Sequence, residues 1–203
     1  MRMIIACEES QEVCKAFRKL GHEAYSCDIL PCSGGHPEWH IQVDIRDILG
    51  TQRFDMMIAH PTCTRLCNSG VMWLDKRNLW EDMKKSAEFF KWLLEYPIDK
   101  VCIENPIPHK YALEIIGRKY DQIIQPYMFG HPERKATCLW LKGLSKLRQT
   151  NNVKEQMLSL PKKEAQRIHY TSPGKDRAKI RSKTFPGIAK AMAEQWGSSY
   201  KIH

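Results

Sequence analysis

No apolar run in this chain of 203 residues approaches the ~20 residues that a membrane-spanning helix needs. An export signal is also missing. Met1-Arg2-Met3-Ile4-Ile5-Ala6 passes straight into a strand pattern and then into charged residues. The expected location is therefore the cytoplasm, with no membrane partner. The eight cysteines are then expected to be reduced, and either buried or catalytic. Paired Cys-x2-Cys spacing is absent. Cys32-x3-His36-x3-His40 and His60-x2-Cys63-x3-Cys67 offer ligand types but not that signature, so no metal is expected. There is no internal repeat and no low-complexity run, and 203 residues suffice for one well-cored domain. Outside residues 142–183 there is no excess of either charge. That stretch holds twelve Lys/Arg against three Asp/Glu, and so carries the whole net charge of +9. A basic segment beside a neutral body points to a polyanion, with nucleic acid favoured over a merely solvated face.

What is present alternates strand and helix. Strand patterns cover 3–7, 23–29, 41–43, 54–59, 100–103, 122–127 and 137–141. Helical spacing covers 10–20, with Ser10 as candidate N-cap and Gly21 as stop. It recurs at 80–96, 111–117 and 188–196. On 80–96, Met83, Ala87, Phe90, Leu93 and Leu94 form one apolar face. This order implies an α/β architecture, a mostly parallel sheet with helices on both faces. The weakly periodic, Lys-rich 144–180 reads as a small loop-rich insertion in a catalytic domain built from 1–143 and 181–203. Trp73, Trp80 and Trp92 read as core or interface residues, with Trp73 set apart by its place in the loop after Cys63.

Two apolar runs end in reactive groups. Phe54-Asp55-Met56-Met57-Ile58-Ala59 leads into His60-Pro61-Thr62-Cys63, and Val101-Cys102-Ile103 leads into Glu104-Asn105-Pro106. In an open α/β sheet, ligands bind in the crevice beyond the carboxyl ends of the strands. A thiol and a carboxylate meeting there suit nucleophilic attack on a ring that must also be hydrogen-bonded or protonated.

The order of these parts resembles the cytosine-C5 DNA methyltransferases. Pro61-Thr62-Cys63 is similar to their Pro-Cys loop and Glu104-Asn105-Pro106 to their Glu-Asn-Val motif. Gly130-His131-Pro132-Glu133-Arg134-Lys135-Ala136-Thr137 stands where they carry Gln-x-Arg-x-Arg, with Glu133 for the Gln, Lys135 for the first Arg and Thr137 for the second. Thr184-Phe185-Pro186-Gly187-Ile188-Ala189 looks like their Asn-Val-Pro stretch.

The resemblance implies a Rossmann-like fold, S-adenosylmethionine as cofactor, and methyl transfer to cytosine C5 in duplex or single-stranded DNA. It implies Cys63 as the nucleophile at C6, Glu104 as the residue on the base edge, and Lys135 on a phosphate or the ring oxygen. For the cofactor it implies Asp28 on the ribose hydroxyls and Asp44 near the adenine amino group, with Ile29, Ile45 and Pro61 lining the site. Cys7 and Glu8 lie in the first loop, and Glu8 and Glu9 can pair with the cationic methionine end. That loop, Ala6 to Gln11, has no glycine and is expected to take positive φ only with difficulty. The 144–180 stretch stands where the family carries its target-recognition domain. Lys146, Arg148, Lys162, Lys163, Arg167, Lys175 and Arg177 are the expected phosphate contacts. Two other readings stay open: a methyltransferase acting on a free pyrimidine nucleotide or an exocyclic amino group, and a non-catalytic nucleic-acid-binding module on the same fold.

Overall fold

The computed structural model describes residues 1–198, so 199–203, the end of the expected catalytic domain, lie outside the described residues. The strands are β1 (Arg2–Ala6), β2 (Glu23–Cys27), β3 (His40–Ile41), β4 (Met56–Ala59), β5 (Lys100–Pro106), β6 (Gln122–Ile124) and β7 (Thr137–Lys142). They form one sheet in the order β3-β2-β1-β4-β5-β7-β6. β3, β2, β1, β4 and β5 pair in parallel, and β7 runs antiparallel to both β5 and β6. The chain winds outward from β1 to β3, then crosses back to place β4 on the other side of β1. That reversal opens a crevice beyond the carboxyl ends of β1 and β4.

The central strands are nearly continuous apolar runs because both sheet faces are covered. Alternate residues go to opposite layers. Ile4, Met57, Val101 and Ile103 face α4 (Trp80–Glu95) and α5 (Lys110–Ile116), where Phe90 packs edge-on against Trp140. Met3, Ile5, Met56, Ile58 and Cys102 face α1 (Glu12–Arg18) and α9 (Pro186–Gly197), with Phe17, Met192 and Trp196. All five residues expected on the apolar face of 80–96 are buried. No helix of the described residues is long and apolar enough to cross a membrane.

Several boundaries differ from the sequence reading. β5 continues to Pro106 because antiparallel β7 extends its ladder past the last β4 partner. The strand expected at 41–43 is the two-residue His40–Ile41, and β6 stops at Ile124, where Pro126 opens a 3-10 turn. The short α2 (Ile45–Leu49) follows Asp44 where no helix was read. The loop after Cys63 carries α3 (Trp73–Lys76). The 144–180 stretch is partly helical, in α6 (Lys154–Ser159), α7 (Lys162–Ala165) and the start of α8 (Arg177–Ser182). It is anchored to the main body, since Leu147 belongs to the α1/α9 core layer and Ile168 packs against it.

The first loop corrects two expectations. Ser10 does not cap α1. The N-cap is Gln11, and both oxygens of the buried Glu8 carboxylate take the free amides at the helix start, Val13 N at 2.7 Å and Cys14 N at 3.2 Å. The absence of glycine does not prevent left-handed backbone either, because Cys7 and Gln11 each take φ 58°. Tertiary bonds hold them there. Glu8 N donates to Cys27 O at 3.2 Å. Gln11 Nε2 donates to Ser26 Oγ (3.1 Å) and His36 O (2.8 Å), while its Oε1 accepts from His36 N and Cys32 Sγ, each at 3.1 Å.

Left-handed backbone is unfavourable by about 1–2 kcal/mol for a residue with Cβ, and more for a β-branched one. Cys7→Val is therefore expected to lower stability by about 2 kcal/mol or more. In Cys7→Gly, strain relief offsets the lost thiol packing to within about 1 kcal/mol. Urea midpoints of the two variants check this, and equal losses would contradict it.

Candidate active site

An open crevice of about 2110 Å³ runs along the carboxyl ends of β1, β2, β4 and β5. Its walls include Cys7, Glu8, Asp28, Ile29, Asp44, Ile45, Pro61, Cys63, Glu104 and Lys135. Every candidate cofactor and catalytic residue from the sequence therefore reaches one site. Their surroundings differ.

Asp28 follows β2 directly. Its Oδ1 accepts from Leu30 N at 2.9 Å, and the Ile29 amide also lies against the carboxylate. Burial raises its pKa, with Glu9 adding to the rise and the Leu30 bond opposing it. A half-buried carboxylate at a crevice wall, with lone pairs beyond those two amides, is suited to hydroxyl donors. Asp44 is otherwise engaged. It caps α2 through Arg46 N (2.9 Å) and makes a two-pronged pair with the Arg46 guanidinium (2.9 and 2.5 Å), which lowers its pKa. Ile29 is 69% exposed at the rim, whereas Ile45 is buried in the floor.

The reacting side is built by register. Ala59 pairs with Ile103, so one step further the parallel strands set His60 beside Glu104. His60 Nδ1 lies 2.9 Å from Glu104 Oε2. Thr184 Oγ1, just before α9, donates to the same oxygen at 3.4 Å. Burial pushes the Glu104 pKa upward, but His60 and then Lys135 outweigh it, and the net shift is down. Asn105 Nδ2 donates to Pro61 O at 3.0 Å, fastening the thiol loop to the end of β5. The 184–189 stretch is held close by Gly187. A Cβ there would come within 2.0 Å of Phe129 O, and Gly187 N donates to His131 Nε2 at 2.9 Å.

Cys63 lies beside a second thiol, Cys67, that sequence reasoning left unassigned, and Cys67 N donates to Cys63 O at 3.1 Å. The hydrogen bond to Cys67 and then burial push the Cys63 pKa up, against the pull of Lys135. Cys67 is lowered to about 5, by the Cys63 bond first, then by Ser69 and the Gly70 amide. Its Sγ lies 3.1 Å from Ser69 Oγ. The thiolate of the pair is favoured at Cys67, because that sulfur collects the donors. Iodoacetamide at pH 7 is therefore expected to label Cys67 before Cys63, and Cys67→Ser to accelerate labelling of Cys63. Peptide mapping by mass spectrometry checks the order, and earlier labelling of Cys63 in the unaltered chain would contradict it.

The basic residues are divided. Lys175 and Arg177 line the crevice, joined by Arg134, Lys179 and Arg181, which the sequence reading did not single out. Lys162 and Lys163 lie on α7, away from the crevice. Arg167 is engaged with Glu133 through Nη2–Oε1 at 2.6 Å and Nε–Oε2 at 3.3 Å. Lys146 and Arg148 lie beside the end of α9, where Trp196 Nε1 donates to Ser145 O and Arg148 N to Gln195. Trp73 lines the crevice 40% exposed, with the Arg77 guanidinium 4.5 Å from its ring centre. Trp80 and Trp92 pack in aromatic clusters.

The sheet order, the antiparallel β7 and the crevice at the β1/β4 reversal define a Rossmann-like methyltransferase fold. Two solved structures share it. One, from an E. coli prophage, is assigned as a DNA modification methyltransferase; at 14% identity it aligns over 80% of this chain and 56% of its own, with a TM-score of 0.50. The other is the Entamoeba histolytica methyltransferase EhMeth, at 13% identity over 75% of this chain and 57% of its own, with a TM-score of 0.51. The chain thus spans a little over half the length of either. The sequence matches no protein-family model and no curated protein.

Proposed function

We propose that this chain is an S-adenosylmethionine-dependent methyltransferase acting in the cytoplasm on cytosine C5 in DNA, through a transient bond from Cys63 to C6. The observation that carries this reading is the convergence of Cys63, Glu104 and Lys135 at the ends of β4, β5 and β7, beside a crevice walled by Asp28. The likeness to two methyltransferase structures, one of them assigned as a DNA modification methyltransferase, supports it.

The residues present fit the cofactor. The half-buried Asp28 carboxylate lines the crevice beyond β2, and Cys7 holds the first loop in left-handed backbone at the crevice wall. When bound, S-adenosylmethionine supplies an electrophilic methyl group on a sulfonium. Everything else falls to the chain. Asp28 binds and orients. Cys63 gives up its thiol proton to solvent in the open crevice as its Sγ bonds to C6, and the nearby Lys135 ammonium favours the thiolate. Electron density then moves through the ring to N3 and makes C5 nucleophilic. Glu104 stands at the base edge, and Lys135 offsets the developing negative charge. Arg134, Lys175, Arg177, Lys179 and Arg181 form a cationic rim suited to a DNA backbone.

The test is incubation with methyl-labelled cofactor and cytosine-containing DNA, followed by nucleoside mass spectrometry, with calorimetry of cofactor binding alongside. 5-Methylcytosine is the expected product. Label on the exocyclic nitrogen would favour amino-group transfer. DNA binding without cofactor binding would favour a non-catalytic module.

A further inference from the structure

His60 is the buried ionisable group of the site that the reading above leaves without a task. Its side chain is 11% exposed. Nδ1 faces Glu104 Oε2 at 2.9 Å, and Nε2 is buried with no hydrogen-bond partner among the described residues. Four charged or polar groups face the ring or its partner from the surrounding elements. Glu104 comes from β5, Glu8 from the loop after β1, Lys135 from the segment before β7, and Thr184 from the segment before α9. The nearest charges to the imidazole are thus two carboxylates, opposed by one ammonium.

We propose that His60 is a positioning residue that keeps Glu104 an ionised hydrogen-bond acceptor with Oε1 turned to the substrate, and so makes the site select a 4-amino pyrimidine over a 4-oxo one. The proposal rests on the reading of Glu104 as the residue at the base edge. Oε2 is occupied by His60 and Thr184, whereas Oε1 has no partner among the described residues and Glu104 lines the crevice. An ionised carboxylate only accepts. The amino group of cytosine offers it a donor. The 4-oxygen of thymine or uracil brings a second acceptor, which leaves the carboxylate unpaired and repelled. A protonated Glu104 would lose that discrimination, because its hydroxyl can donate to the 4-oxygen.

The charge logic gives a pH dependence with a defined sign. The Glu104 pKa is lowered and the His60 pKa is raised by their mutual bond. The ionised pair therefore exists above the lowered value of Glu104 and below the raised value of His60. As pH falls through the Glu104 value, the acceptor is lost. As pH rises through the His60 value the imidazolium charge is lost, but a neutral ring can still donate from Nδ1. Asparagine at position 60 offers an N–H in a similar place without the charge, so it separates orientation from ionisation.

Two readouts test this. The first uses the cofactor-free protein with 13C-labelled glutamate, with the Glu104 signal assigned through its loss in Glu104→Gln. In His60→Asn the Glu104 titration is expected to move up by about 1–3 pH units, the scale for losing a neighbouring opposite charge. This arm needs no methyl transfer, so it stands or falls apart from the proposed activity. The second compares the affinity of single-stranded oligonucleotides presenting cytosine or uracil at one position. The unaltered protein is expected to prefer cytosine at pH 8.5 and also at a pH midway between its own Glu104 titration and that of His60→Asn, as measured in the first arm. His60→Asn should match it at pH 8.5 and lose much of the preference at the lower pH, whereas His60→Phe should lose it at both. Thermal unfolding of each variant guards against a folding defect. A Glu104 titration unchanged in His60→Asn would overturn the proposal, and so would a His60→Asn preference that is the same at both pH values.

Discussion

Cys63→Ala is expected to fold, to bind S-adenosylmethionine as tightly as the unaltered chain, and to transfer no measurable methyl group. Removing the nucleophile of a covalent mechanism lowers turnover by about 10³-fold or more, because the other groups of the site act through the bond it makes. Cofactor affinity is spared since the thiol loop follows β4, while Asp28 follows β2 on the far side of β1. Folding is spared since Cys63 lies outside both buried core layers. The chemical signature is a trapped adduct. DNA carrying 5-fluorocytosine should form a denaturation-resistant complex with the unaltered protein and none with Cys63→Ala. Cys67 is the control. Its alanine variant keeps the nucleophile and frees it from the bond that raises its pKa, so the adduct should still form, and no more slowly. Full turnover by Cys63→Ala would turn the reading toward transfer to an exocyclic nitrogen.

Asp28→Ala is expected to weaken cofactor binding by about 1.5–3 kcal/mol, the scale for losing a charged hydrogen-bond partner. Calorimetry measures it directly. Asp28 has a local duty as well, since Oδ1 accepts from Leu30 N, and alanine frees that turn. Asp28→Asn separates the two effects, because its amide oxygen can still hold Leu30 while the charge is gone. A loss with alanine that asparagine fully restores would assign the effect to loop geometry. A loss with both assigns it to the carboxylate. The affinity for DNA should change little in either variant, as the basic rim comes largely from α8 and the segment before β7.

Much of this was legible in the chain because strand ends announce themselves. An apolar run that stops at a reactive side chain points that side chain to the crevice, and Cys63, Glu104 and Asp28 do line it. The expected face of α4 was found by its spacing alone. The failures have a common cause: sequence spacing does not report which polar group meets which. Glu8 caps α1, Asp44 holds Arg46 and Arg167 holds Glu133. Only the last depends on where the chain returns; the first two join residues five and two apart, and their spacing does not distinguish a carboxylate that caps its own helix from one left for a ligand. His60 had a usable signal, an imidazole between a buried strand and a proline, one step past a strand whose neighbour ends in glutamate. Reading it required the register of β4 against β5. The basic stretch showed its charge but not its direction: of the residues chosen there, Lys175 and Arg177 line the crevice, with Lys179, Arg181 and the earlier Arg134 beside them.

Gln11 ties together loops that the sequence keeps apart. One side chain joins the first loop to Ser26 on β2 and to Cys32 and His36 in the segment after Asp28. The two walls that would grip opposite ends of one cofactor are therefore mechanically a single part. A ligand seated against either wall is then expected to steady the other, and Gln11→Ala, which cuts these bonds, to weaken the binding of a cofactor that spans both walls, as calorimetry would measure.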